Sequence, residues 1–345
     1  MENHFQELLK EIKRLAKKIK KEVRLMEVCG TLTQTSVSFG IRNLMPKNIK
    51  LITGPGCPVC ITPQEEIDAV VNLALKGVPI ATYGDVLRVP GFYGSLEEAR
   101  GQGAWVREVY SAEEALFLQK KKPDLIFFGI GFETTAPMTA LSVKKGLNVY
   151  SAHRLFFPAL AALLKVPGLK IDGFLCPGHV SAIIGSEIYK RLKFPSVVSG
   201  FEPEDLLISI YLLLKQIFEK RREAENEYWR SVEPKGNFAA YKAIFDVFEV
   251  KDAQWRGLGK IARSGLELKR KYAAQDAKVK YKNILKGIDF SKSKLDKACS
   301  CAEVLLGKKE PKDCPLFQRV CSPRSPKGPC MVSVEGPCYI EFNYS

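Results

Sequence analysis

No apolar run in this sequence approaches the roughly 20 residues needed to span a bilayer; the best, Leu155 to Leu164, has a proline inside it. A signal peptide is missing too, because Glu2, Glu7, Glu11 and many lysines interrupt any apolar stretch at the N-terminus. Low-complexity tracts are too few for extensive disorder. Neither a zinc-finger spacing nor an RNP-like motif is present, so the sequence offers no recognisable nucleic-acid module. These absences exclude a membrane protein and lead to the expectation of a cytoplasmic protein that does not bind nucleic acid.

What is present fits a soluble globular chain. Its 345 residues are 46% hydrophobic and 26% charged, enough for two or three folding units. Lysine plus arginine exceed aspartate plus glutamate by 53 − 38, or +15. The excess lies in runs such as Lys17 to Lys21 and Lys120 to Lys122, which read as solvated helix faces or as steering for an acidic partner.

Phe5, Leu8, Leu9, Ile12, Leu15 and Ile19 recur at helical spacing and predict an amphipathic N-terminal helix over 1–22. Short β-rich runs follow at Arg24 to Val28, Lys50 to Thr53 and Pro79 to Thr82, with a helical stretch from Pro63 to Leu75. A second set begins at Asp124 with L-I-F-F-G-I-G-F and continues at Val149 to Ala152, Gly173 to Cys176 and Val197 to Gly200. Alternating strands and helices, with strands apolar throughout, predict parallel sheets covered on both faces. The expected fold is α/β, with two similar parallel-sheet domains in tandem at 23–115 and 116–203. A helical and Cys-rich domain follows over 204–345. From about Lys297 the chain is rich in Cys, Pro and Gly and is expected to be held by something other than a hydrophobic core.

Ten cysteines in a reducing compartment call for metal binding or redox chemistry. Cys299, Cys301, Cys314, Cys321, Cys330 and Cys338 put six thiols within 40 residues. A structural zinc site usually takes two close C-x-x-C pairs, whereas this segment has one C-x-C and otherwise long separations. Irregular spacing with thiolate donors suits an iron–sulfur cluster wrapped by loops; the competing reading is a zinc-stapled tail. Spacing alone does not say which four of the six are ligands. Upstream, G-P-G-C-P-V-C places Cys57 and Cys60 in a C-x-x-C after a strand, where a disulfide can form and a thiol pKa can be lowered. Half of a zinc site is the alternative, but no second C-x-x-C completes it.

Cys29 ends the first strand in C-G-T-L-T-Q-T, a turn suited to close approach of a ligand, although a lone cysteine at a strand end is most often packing. Cys176, in F-L-C-P-G-H, reads as packing, and His153 and His179 as satisfied polar residues. The turn G-I-G-F-E-T-T-A-P lacks the third glycine of a dinucleotide fingerprint. Its Glu133, Thr134 and Thr135 either cap the next helix or line a cleft with Cys29 and the Cys57 pair. Asp85 and Arg88 in G-D-V-L-R, His179, and Glu202 in G-F-E-P end or follow strands in the same way and are further cleft candidates.

C-G-T at Cys29, G-P-G-C-P-V-C, T-Y-G-D-V-L-R-V-P-G, G-F-E-T-T-A-P, P-G-H-V-S, S-G-F-E-P, W-R-G-L-G and M-V-S-V-E-G-P-C occur in this order. Together they resemble the HypD family of NiFe-hydrogenase maturation factors over nearly the whole chain. The resemblance implies two similar α/β domains and a third carrying a 4Fe-4S cluster. It also implies a scaffold role in assembling the Fe(CN)2CO unit, with a HypC-type chaperone and with HypE, supplied by HypF, as cyanide donor; the hydrogenase large subunit is reached indirectly. On that resemblance Cys29 binds the iron jointly with a HypC cysteine, and Cys57 and Cys60 form the redox dithiol. The family spacing C-x14-C-x6-C-x16-C selects Cys299, Cys314, Cys321 and Cys338 as cluster ligands, leaving Cys301 and Cys330 for a disulfide. Glu335 contributes near the site. The family motif C-G-T-H departs here at Leu32, a change expected to leave iron binding intact but to alter ligand transfer. The cluster beside a disulfide also resembles ferredoxin:thioredoxin reductase, so a thiol–disulfide reductase is the alternative function.

Overall fold

The apolar stripe of the N-terminal segment forms a helix over Glu2–Lys18 and packs along the helix Pro203–Phe218. The computed structural model describes residues 2–292 and 296–344. Among the described residues no helix is long and apolar enough to cross a membrane.

Seven strands follow the expected runs closely, β1 Val23–Glu27, β2 Ile49–Thr53, β3 Ile80–Thr82, β5 Ile126–Gly131, β6 Val149–His153, β7 Gly173–Pro177 and β8 Ser196–Ser199, while the short β4 Val106–Glu108 and β9 Ala224–Asn226 are not among the expected runs. They form two parallel sheets, ordered β2-β1-β7-β8-β9 and β4-β3-β5-β6. The sheets do not follow the expected tandem division at 115/116. The chain lays down two strands of the first sheet, crosses to build all of the second, and returns at β7 to pair with β1, Glu27 beside Leu175. The segment after 204 likewise belongs partly to the first sheet, because its helix Pro203–Phe218 packs on β8 and β7. The burial of β5 at every position accounts for its unbroken apolar character; β6 is equally buried, with Ser151 and His153 hydrogen-bonded inside.

An antiparallel hairpin absent from the sequence expectation, β10 Phe248–Trp255 and β11 Gly259–Leu268, closes over the second sheet. Ser151 Oγ donates to Leu266 O at 2.6 Å and Leu155 N to Ser264 O at 2.8 Å. Trp255 is buried, donates to Ser264 Oγ at 2.8 Å and stacks on Phe132.

The Cys-rich segment forms only short helices, Cys301–Leu305 and Pro337–Tyr344. It does have apolar support, contrary to expectation: Val304, Leu305, Met331, Val332 and Ile340 are buried, and Leu305, Met331 and Val332 share one core cluster with Val59, Ile61 and Phe128. The cysteines therefore sit against the α/β body rather than on a separate tail.

Candidate functional site

The carboxyl ends of the strands meet in one place, where ligands collect in parallel α/β folds. A cleft there is lined by Cys29 from beyond β1, Gly56 and Pro58 from beyond β2, Thr134 from beyond β5, His179 from beyond β7, and Glu335 from the Cys-rich segment. Phe132, Phe156 and Val180 form its apolar wall. The cleft thus unites Cys29, Thr134, His179 and Glu335 from among the candidates.

Cys29 is a free thiol, 7% exposed, at the N-cap of the helix Gly30–Ser38. Burial, reinforced by the Glu335 carboxylate, pushes its pKa up to about 12. Close packing leaves no room for side chains beside it. A Cβ on Gly30 would lie 2.5 Å from Glu335 Cβ, and one on Gly56 would run into the Cys29 backbone. Thr31 Oγ1 donates to Glu335 Oε1 at 3.2 Å, and burial, with the Asp85 carboxylate, holds Glu335 above the usual range. Leu32 does not line the cleft. It is fully buried, in the apolar cluster that contains Ile41, Leu206 and Leu207.

Cys57 and Cys60 are both free and buried. Cys57 Sγ accepts from Cys60 N at 3.2 Å, capping the short helix Pro58–Ile61. Cys60 Sγ lies 3.9 Å from Pro329 O, so the pair stands between the cleft and the C-terminal cysteines. The lowering of a thiol pKa expected at a strand end does not occur at Cys60; burial pushes it up, as do Cys57, Cys338 and Glu335.

The six C-terminal cysteines line one cavity with Phe317, Gly328 and Met331. Cys301 and Cys330 are joined in a disulfide; Cys299, Cys314, Cys321 and Cys338 are free. Backbone N–H groups point at two of the free sulfurs, Ser300 N at Cys314 (3.5 Å) and Lys327 N at Cys321 (3.3 Å). A Cβ on Gly328 would stand 2.8 Å from Cys299 Sγ. Burial pushes Cys299 up to about 11 and raises Cys321 and Cys338, with the other thiols adding to it. Among the described residues no three His, Cys, Asp or Glu side chains converge for a single metal ion. Four free thiols around an apolar pocket, two of them facing N–H donors, fit a thiolate-ligated iron–sulfur group.

The remaining candidates serve elsewhere. Glu133 is buried with both carboxylate oxygens accepting Phe156 N, at 3.0 and 3.1 Å, and so caps the helix after β6 rather than facing the cleft. Thr135 turns back to Phe132 O at 3.5 Å. Glu202 is the N-cap of Pro203–Phe218, in a reciprocal box with Asp205. Asp85 accepts from Ser333 Oγ at 3.0 Å, and Arg88 donates to Pro323 O at 3.0 Å; both face the Cys-rich segment. Cys176 and His153 are fully buried, His153 between Ser151 and Thr139. His179 stacks on Phe201 with ring centroids 3.9 Å apart.

Arg256 is a site residue that sequence reasoning missed. It is 7% exposed, and its guanidinium donates to Cys60 O at 3.1 Å, Thr62 O at 2.6 Å and Gln64 Oε1 at 3.2 Å. The only signal was W-R-G-L-G, which does not say that its arginine is buried.

Fold and site define a thiol-bearing α/β protein in which a cleft cysteine, a buried dithiol and a cysteine-lined cavity lie in sequence through one body. The family model HypD, described as hydrogenase formation hypA family, matches residues 3–345. A putative hydrogenase expression/formation protein of Methanocaldococcus jannaschii is 44% identical over 346 residues, covering 96% of this chain and 95% of its own. The hydrogenase maturation factors HypD of Azotobacter vinelandii and Escherichia coli K12 are each 41% identical, covering 94% and 93% of this chain and 90% and 89% of their own. The chain belongs to the HypD family of hydrogenase maturation factors.

Proposed function

We propose that this protein is the scaffold on which the Fe(CN)2CO unit of NiFe hydrogenase is assembled, with Cys29 as its ligand to the incoming iron. The partners on this reading are a HypC-type chaperone, which supplies a second cysteine, and HypE, charged by HypF, as cyanide donor. The observation that carries the reading is the arrangement of Cys29 in an open cleft with the Cys57–Cys60 pair directly behind it. Cys29 holds its proton until a cation displaces it, because burial and Glu335 oppose the free thiolate; metal binding and proton release are therefore linked. Glu335, tethered by Thr31, is the carboxylate in the cleft that acts on that thiol. Thr134 and His179 present polar groups to the same cleft, and Phe132 and Phe156 keep its wall dry.

Cys299, Cys314, Cys321 and Cys338 would hold a 4Fe-4S cluster, which when bound supplies electrons one at a time. The dithiol, placed between the cavity and the cleft, would hold reducing equivalents as a thiol pair. A turnover thiol–disulfide reductase is the weaker reading, because Cys57 and Cys60 are 2% and 0% exposed and offer no sulfur to a protein substrate. An iron count and absorbance spectrum of anaerobically purified protein test the cluster. Wild type should carry about four irons and lose its colour in Cys314→Ser; a colourless protein with one zinc removes the electron source and this mechanism with it.

A further inference from the structure

Arg256 stands at the turn between β10 and β11 yet spends its donors on the C-x-x-C loop. Its backbone N donates to Ile61 O at 2.8 Å, and its guanidinium reaches Cys60 O, Thr62 O and Gln64 Oε1. Four bonds thus grip residues 60 to 64. Every acceptor is neutral, and among the described residues no carboxylate forms an ion pair with this buried guanidinium. Burying a charge without an ionic partner is costly, so its retention calls for a counter-charge. The ionisable groups acting most strongly on it are Cys60 and then Cys299, ahead of Glu65 and Asp68.

We infer that Arg256 is the positioning residue of the dithiol: it fixes the C-x-x-C loop and supplies the positive charge that favours the thiolate of Cys60, the reactive form of that thiol. Around Cys60, burial and the negative charge of Cys57, Cys338 and Glu335 all oppose that thiolate. Arg256, which donates to the Cys60 carbonyl at 3.1 Å, is a cation placed beside that residue. The inference rests on the reading of Cys57 and Cys60 as a redox pair.

The test is the rate at which iodoacetamide, a small uncharged reagent, alkylates Cys60 in the reduced full-length protein as pH is varied, read peptide by peptide by mass spectrometry. Cys176, equally buried and without charged neighbours that shift it, reports how often the structure opens. Arg256→Gln keeps an amide donor and loses the charge; it should slow Cys60 alkylation relative to Cys176 by about tenfold, one pKa unit. Arg256→Lys keeps the charge and loses the three-point grip, and should stay within about threefold of wild type. A structural staple without an electrostatic role would behave oppositely, since a loosened loop exposes Cys60 and speeds alkylation. An unchanged or faster rate in Arg256→Gln overturns the inference, as does a tenfold slowing in Arg256→Lys, which decides the matter alone should the Gln variant not fold. The dithiol reading is tested separately: if oxidised wild type never shows a Cys57–Cys60 disulfide by mass, that reading fails whatever the alkylation rates.

Discussion

Thr31 donates its hydroxyl to the Glu335 carboxylate at 3.2 Å across 304 positions of the chain, fastening the loop of Cys29 to the loop that precedes Cys338. The cleft cysteine and the cysteine-lined cavity are therefore held in register by the same contact. Replacing Cys29 should separate their functions. Cys29→Ala is expected to abolish loading of the iron unit, measured by iron content and infrared bands of cyanide and carbon monoxide, and to leave the visible spectrum of the cluster unchanged. Loss of both together would mean that the two sites are one.

The backbone around Cys29 depends on glycine. Gly56→Ala puts a methyl group into the Cys29 backbone and within 2.6 Å of Val28 C, an overpacking that should cost about 1–3 kcal/mol and reduce iron loading while sparing the cluster. Gly101, with nothing within 4 Å of an added Cβ, is the control, and its alanine variant should unfold with a urea midpoint at or above that of wild type.

Leu32, the fourth residue of C-G-T-L, where the family resemblance implies histidine, points into the core. Leu32→His is expected to lower stability by about 2–4 kcal/mol through an imidazole buried without an evident partner. That loss would weaken maturation through the fold. A urea midpoint equal to wild type would show that the new ring turns out toward the cleft, and a direct effect on ligand transfer would then follow.

Glu133 gives stability a pH dependence. Burial raises its pKa from 4.5 to about 7, so the folded state binds its proton more tightly than the unfolded state does. Its contribution is complete below about pH 4.5 and is lost as pH rises through about 7, a difference on the order of 3 kcal/mol. Wild type should therefore lose stability relative to Glu133→Gln over that interval, followed by urea unfolding at fixed pH steps; parallel curves would mean that Glu133 titrates normally.

Much of this was readable from residue order, and the unreadable parts share a cause. The strands announced themselves because β5 and β7 are apolar without interruption, and C-x-x-C is local chemistry. Which sheet a strand joins is not local: β1 and β7 pair although the 145 residues from Val28 to Asp172 separate the end of one from the start of the other. The hairpin escaped notice because β10 carries Glu249 on a half-buried position and Lys251, Asp252 and Gln254 on exposed ones, which break the apolar pattern. Glu133 and Glu202 were ambiguous for a different reason, since a carboxylate after a strand caps a helix or faces a cleft with the same sequence. Only Phe156 N at 3.0 Å decides for Glu133.

The return of the chain from the second sheet to the first governs the order of events during synthesis. No fragment that stops before Gly173 can give β1 its second partner strand, β7, and none that stops before Glu335 can complete the cleft. Until the last residues leave the ribosome Cys29 lacks its carboxylate, and Arg256, which grips the dithiol loop, emerges about 200 positions after Cys60. Completion of the chamber around Cys29 is thereby deferred to the finished molecule, and a truncated product carries the cysteine without it.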